Sequence, residues 1–253
     1  MVKVKNYERI LELKVFNLQD VYKLTGNINT AKSLIRNLLL SKYIKKVKHN
    51  LYTVCDIEYK SVIPDQYMIA SKIKQDAYIS YHSAFDYYGV KNQMFYVVYV
   101  SSKNRFENFE FEGYDYTFVN SKYDFGITEK GKVRVTDKER TVIDCIDKTE
   151  LAGGDEELFL CLELMGRLDG NKILEYLKQY NSQKLYAKVG FMLELLNDGF
   201  GIDDKVIEEC RKNINKGTYY FDDETKRNKN KYISKWNLIV PEIFLTRGRS
   251  IYW

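Results

Sequence analysis

The sequence predicts an α+β chain: a small amino-terminal module followed by a larger mixed α/β part whose second half is mainly helical. Three observations carry this. Residues 1–60 show three helical apolar stripes and then two short strand patterns. Residues 61–150 mix helical and strand patterns, and residues 151–253 read mostly as helices. Charge divides at the same place: of 40 Lys and Arg and 35 Asp and Glu, residues 1–60 hold 12 and 5, and the remaining 193 hold 28 and 30. The expected domains are therefore 1–60 and 61–253, the latter with halves at 61–150 and 151–253.

In the first module, "NYERILELK" places Tyr7, Ile10, Leu11 and Leu13 along one side of a helix. "NLQDVYKLTG" predicts a second helix, with Asn17 as N-cap, Asp20 in the first turn and Gly26 as the C-terminal stop. Its stripe is Leu18, Val21, Tyr22 and Leu24. A third helix follows, capped by Asn27 or Asn29. At the α-helical angle Ile28, Ala31, Leu34, Ile35, Leu38 and Leu39 fall on one side, and Asn29, Thr30, Lys32, Ser33, Arg36 and Asn37 on the other. Leu40 lands with the polar set, where it is expected to cover the hairpin base or meet a partner chain.

"YIKKVKHNLYTV" predicts a hairpin with Tyr43/Ile44, Val47, Leu51 and Val54 inward. His49-Asn50 forms its turn, because Asn tolerates the left-handed backbone. Lys45, Lys46 and Lys48 are expected to point outward. Helix, helix, helix and basic hairpin is the order of a winged helix-turn-helix, in which the third helix enters the major groove and the wing follows the phosphates. Ser33, Arg36, Asn37 and Lys32 offer donors and acceptors to base edges, with Thr30 beside them. Lys23, the wing lysines and His49 need only meet phosphate oxygens. A three-helix module with a solvated face, or one used for protein contacts, has the same pattern.

The larger part opens with a helix after Pro64 ("PDQYMIASKIK"), a strand "AYIS", and a helix "YHSAFDYYGV" capped near Ser80 and closed by Gly89. "MFYVVYVSS" is strongly β-forming. "FENFEFEGYDYTFV" reads as a hairpin turning at Glu112-Gly113. "GKVRVTDKERTVIDCID" joins a strand, Val133 to Val135, to a helix with a Thr136/Glu139 capping box. Helices are expected at 155–166, 170–180, 183–197 and 203–214. After them come an exposed loop "DDETKRNKNK" and an extended "YISKWNLIVP".

No convergent catalytic set is visible. The sequence lacks a Walker A motif, a dinucleotide GxGxxG and an HExxH. Only two histidines occur. His82, near Ser83 and Asp86, has no nucleophile-elbow context. Glu58-Tyr59-Lys60 looks like half of a nuclease site but lacks a partner aspartate. Asp137, Glu139, Arg140 and Asp144 are explained by capping and an intrahelical ion pair. Tyr81, Tyr87, Tyr88, Phe95, Tyr96 and Tyr99 offer faces for nucleobases, although strand tyrosines of this kind also pack as half-buried sheet residues. Cys55, Cys145, Cys161 and Cys210 form no CxxC pair, which fits reduced thiols in a cytoplasmic protein. No enzyme activity, cofactor, metal, membrane span or secretion signal is expected.

The succession "AYISYHSAFDYYGV", "FYVVYVSS", "VRVTDKERTVIDCID" and "AGG" behind such a module resembles the AbiEi antitoxins of bacterial abortive-infection toxin–antitoxin systems. The run Asp137 to Asp144 is the most specific portion, and the last hundred residues match more loosely through "KWNLIVP". The resemblance implies a transcriptional autorepressor that binds double-stranded DNA at inverted repeats of its own operon, with two protomers on the operator. It also implies a larger domain that counteracts a nucleotidyltransferase-like toxin without a stable complex. By that analogy Lys23, Lys32, Arg36 and the wing lysines are the DNA contacts. The wing turn departs from many relatives, with His49-Asn50 where they have glycine. The alternatives are a ligand-responsive winged-helix regulator without antitoxin activity, and a nuclease with a DNA-binding appendage.

Overall fold

The computed structural model describes residues 4–223, 225 and 229–250. It begins with α1 (Val4–Leu13), β1 (Val15–Phe16), α2 (Leu18–Thr25), α3 (Ile28–Leu40), β2 (Ile44–Lys48) and β3 (Leu51–Val54). These strands form an antiparallel sheet in the order β1-β3-β2, with Val15 opposite Thr53 and Ile44 opposite Val54. The three helices and this sheet enclose a core of Ile10, Phe16, Val21, Ala31, Leu38, Ile44 and Val54. β1 was not expected. Two residues are too few to show alternation, and its strand character comes from pairing with β3.

α4 (Gln66–Lys72) follows, and then a six-stranded sheet. Its strands are β4 (Tyr78–Ile79), β5 (Val97–Ser102), β6 (Phe109–Phe111), β7 (Tyr114–Asn120), β8 (Ile127–Lys130) and β9 (Val133–Thr136), in the order β6-β7-β5-β4-β9-β8. β6 and β7 form the expected hairpin, with Glu112 at φ 51° and Gly113 at φ 80°. Two successive positive φ angles are what a type I′ turn requires. β5 and β7 run parallel.

The helices are α5 (His82–Tyr87), α6 (Lys138–Asp147), α7 (Asp155–Leu164), α8 (Gly170–Tyr180), α9 (Gln183–Leu195), the short α10 (Asn197–Phe200), α11 (Asp204–Lys212) and α12 (Glu242–Ser250). A small sheet of β10 (Tyr219–Tyr220), β12 (Leu238–Pro241) and β11 (Asn230–Ile233) comes between α11 and α12 in the chain. The fold class is α+β, as expected. By internal packing the chain resolves into two compact units. One holds residues 1–79, 96–122 and 129–134, and the other holds 80–95, 123–128 and 135–253. The first sixty residues thus cluster with α4 and most of the six-stranded sheet, and no border falls at residue 60. Among the described residues no helix is long and apolar enough to cross a membrane.

Several local expectations change. The N-cap position of α5 is Tyr81 (φ 54°), without a side-chain cap, rather than Ser80. The Thr136/Glu139 box does not form, because Asp137 caps α6 by accepting from the Arg140 N–H at 2.9 Å. Glu139 is turned to the Asp169 N–H instead, at 3.0 Å. The "YISKWNLIVP" segment breaks at a 3-10 turn, Ser234–Trp236, and α12 follows it. Of the charged stretch before it, residues 224 and 226–228 lie outside the described residues.

Candidate nucleic-acid interface

The geometry of α2 and α3 follows from their caps. The Asn17 side chain accepts from the Asp20 N–H and the Asp20 carboxylate accepts from the Asn17 N–H, each at 3.0 Å, a reciprocal capping box. Gly26 ends α2 at φ 69° and lets the chain turn directly into α3. There the Asn27 Oδ1 accepts from the N–H groups of Asn29 (2.9 Å) and Thr30 (3.1 Å). Such caps contribute about 1 kcal/mol each and fix where the third helix starts.

Ala31, Leu34, Ile35 and Leu38 are buried and hold α3 on the core, while Leu39 is only partly covered and Ile28, expected on the inward side, is exposed at the helix start. Thr30, Lys32, Ser33, Arg36 and Asn37 are all exposed along the opposite face, and Lys23 of α2 is exposed beside the turn. Among the described residues no carboxylate pairs with Lys23, Lys32 or Arg36. Leu40 is 74% exposed and does not cover the hairpin base.

The hairpin differs from expectation in its lysines. Asn50 takes the left-handed turn position (φ 55°), and its Oδ1 accepts from the Leu18 N–H at 3.1 Å, which ties the turn to the start of α2. A bulge between Lys46 and Lys48 lets Ile44 and Val47 both face inward. Lys46 and His49 are exposed. Lys45 instead pairs with Glu112 at 2.7 Å. Lys48 does not point freely outward: its ammonium lies over the rings of Phe106 (4.9 Å) and Phe109 (4.6 Å). Burial holds its pKa below the usual lysine value. The sequence pattern carried no sign of rings sixty residues away. Lys60, in the discounted Glu58-Tyr59-Lys60 triplet, lies over the Tyr43 ring at 4.5 Å.

The second unit holds two buried polar networks. In the first, Glu157 accepts from His82 Nε2 (2.9 Å), from the N–H groups of Asn92 and Gln93 (3.0 Å each) and from the Cys161 thiol (3.3 Å). His82, Glu157 and Cys161 are near enough to share a cation. The carboxylate lone pairs, however, already face these donors, and burial raises the Cys161 thiol far from its thiolate form. The arrangement is a hydrogen-bonded knot joining α5, the 90–93 segment and α7. The sequence analysis does not single out Glu157, which stands among three successive acids, Asp155, Glu156 and Glu157, at the start of α7. The usable signal was its i,i+4 phase with Cys161, on the apolar stripe.

In the second network Arg140 pairs with Asp144 (3.2 Å), as expected, and Tyr180 donates to the same carboxylate. Burial nevertheless pushes the Asp144 carboxyl up, against the pull of Arg140. Asp137 accepts from Tyr176 (2.7 Å) and Lys172 (3.0 Å). The tyrosines considered for base stacking are mostly structural: Tyr81 is buried, and Tyr88 donates to the Thr136 carbonyl at 2.8 Å. Tyr96 alone of that group is strongly exposed, at 60%. All four cysteines are buried and free.

No family model and no curated protein matches the chain. Among solved structures it is similar to the crystal structure of the RV2827C protein from Mycobacterium tuberculosis. The TM-score is 0.66 over 96% of this chain and 94% of that one, at 10% identity. This likeness concerns the path of the backbone and establishes the α+β fold.

Proposed function

We propose that residues 4–55 are a winged helix-turn-helix that reads duplex DNA, and that the protein is a non-enzymatic antitoxin and transcriptional autorepressor of its own toxin–antitoxin operon. The observation that carries the DNA reading is the exposed face of α3. Thr30, Lys32, Ser33, Arg36 and Asn37 stand on one helix side, unburdened by carboxylates, opposite a side locked into the core. The element order helix, strand, helix, helix, strand, strand supports it further. In this reading Ser33, Arg36 and Asn37 meet base edges in the major groove. Lys23, Lys32, Lys46 and His49 meet phosphates. Lys45 and Lys48 contribute less, because each already has an internal partner.

The antitoxin part rests on the resemblance of residues 77–154, above all the Asp137–Asp144 run, and its expected counterpart is a nucleotidyltransferase-like toxin. The test has two arms. In fluorescence-anisotropy titrations on the DNA upstream of its own reading frame and on random duplex, Lys46→Ala weakens binding to both alike, whereas Asn37→Ala changes which sequence is preferred. Equal losses on both duplexes for both variants refute the division of roles. Co-expression with a neighbouring nucleotidyltransferase-like protein restores growth if the antitoxin reading holds, and leaves growth arrested if it does not.

A further inference from the structure

The first unit contains a cavity of about 830 Å³ beside α2, bounded also by α4 and by the turn between β8 and β9. Its walls carry Lys14, Lys23, Lys72, Lys74, Lys132 and Arg134, against two carboxylates, Asp20 and Glu129. Three of the cations have internal partners. Lys72 pairs with Asp20 at 3.3 Å, Arg134 donates to the carbonyls of Gln75 (2.9 Å) and Ala77 (3.3 Å), and Lys132 donates to the Glu12 carbonyl. Lys14, Lys23 and Lys74 have no carboxylate partner among the described residues. The cations are close enough to repel: burial first, then Lys14 and Lys72, hold the Lys132 amine below the ordinary lysine value.

Positive charge concentrated on the walls of a cleft focuses the field inward and favours an anion there. The concavity argues for a small one. The volume falls within the roughly 300–1,000 Å³ of small-molecule sites, far more than a single phosphate fills, whereas a duplex is a convex rod better met by an exposed ridge. The wall is also partly apolar, through Leu13, Val15 and Ile73, and so offers a surface to an organic body. Lys14 is set in place by its backbone. It occupies the left-handed region (φ 61°), uncommon for a lysine, and its carbonyl accepts from the Val54 N–H at 3.0 Å.

We infer that this cavity is a binding site for a small polyphosphorylated ligand of nucleoside di- or triphosphate size, with Lys14, Lys74 and Lys132 on the phosphates and the organic body against Leu13 and Ile73. The site shares Lys23 with the proposed DNA interface and is otherwise independent of that reading.

The test uses the full chain without DNA. Inorganic tripolyphosphate and a fluorescent nucleoside triphosphate are each titrated, by calorimetry and by fluorescence. Both bind saturably at one site, the nucleotide more tightly. Lys74→Gln and Lys14→Asn (a residue that accepts the same backbone) each weaken binding at least about tenfold, the scale of one lost hydrogen bond to a charged group. Lys178→Gln, an exposed cation that is not among the residues lining the cavity, removes the same charge and changes affinity less than about twofold. Absence of saturable binding at low salt overturns the inference, as do equal losses in all three variants. Failure of DNA binding with intact nucleotide binding sinks only the interface, and the reverse sinks only this site.

Discussion

Replacing Glu157 by Gln removes one charge from a side chain with no exposed surface. In the folded chain burial pulls the Glu157 carboxyl upward. The N–H of Gln93, the His82 ring, the N–H of Asn92 and the Cys161 thiol together outweigh it and hold the group at about 2, against an ordinary 4.5. The gap is about 2.5 pH units, and at 1.36 kcal/mol per unit it links to about 3 kcal/mol of folding free energy. The sign follows from the depressed folded value. The stabilisation is fully present above about pH 4.5, where the unfolded side chain is ionised, and is lost as pH falls towards 2. Glu157→Gln keeps the shape but supplies no charge, so it is expected to be less stable than the parent by about 3 kcal/mol at neutral pH. That difference closes progressively below about pH 4.5. Urea unfolding followed through the buried Trp236, in the same unit, measures it. Comparing two chains cancels every other carboxylate that protonates over the same range. A difference that stays constant from pH 5 to about pH 2.5 refutes the reasoning, because it means that the donors around residue 157 do not discriminate the charged from the neutral form.

A methyl group added at Gly190 lands inside van der Waals contact of the Trp236 ring, which is buried and anchored by its Nε1 donating to Glu194 at 2.7 Å. Gly190→Ala therefore costs at least about 2 kcal/mol by overpacking and lowers the Tm in a thermal melt by several degrees. Asn27→Ala strips two N–H groups at the start of α3 of their acceptor, costs about 1 kcal/mol, and weakens DNA binding beyond that cost if α3 is the reading helix, as anisotropy titration will show. Lys46→Ala lowers the slope of log affinity against log salt by about 1. Lys48→Met, which keeps an apolar stem over Phe106 and Phe109, leaves that slope nearly unchanged.

How far the sequence was legible depends on whether each feature is determined locally. The ends of α2 were readable because Asn17, Asp20 and Gly26 act within a few residues of themselves, and the structure places all three in the expected roles. The β6–β7 turn was readable for the same reason: Glu112-Gly113 sits between two alternating runs. Non-local features were not. β1 is a strand only because β3 lies alongside it. Lys48 has the appearance of a wing lysine until Phe106 and Phe109 are folded against it. Glu157 has the appearance of a helix-start acid until His82 and the amides of Asn92 and Gln93 converge on it.

The same distinction bears on the cationic groups of the first unit. Residues 1–60 carry their positive excess in the chain itself, but the fold sorts those cations into different physical situations. Lys48 spends its charge on two aromatic rings and Lys45 on Glu112. Lys32, Arg36 and Lys46 remain on an exposed surface. Lys14 and Lys23 are gathered with Lys72, Lys74, Lys132 and Arg134, brought in from α4 and the β8–β9 region, around a concavity. An exposed row and a concave cluster bind anions of different shape, and salt weakens the exposed row more because Lys14, Lys74 and Arg134 of the cluster are partly buried and such charges are screened less. Raising ionic strength is therefore expected to release duplex DNA before it releases a nucleotide held in the cavity. That order of release separates the two surfaces without any mutation.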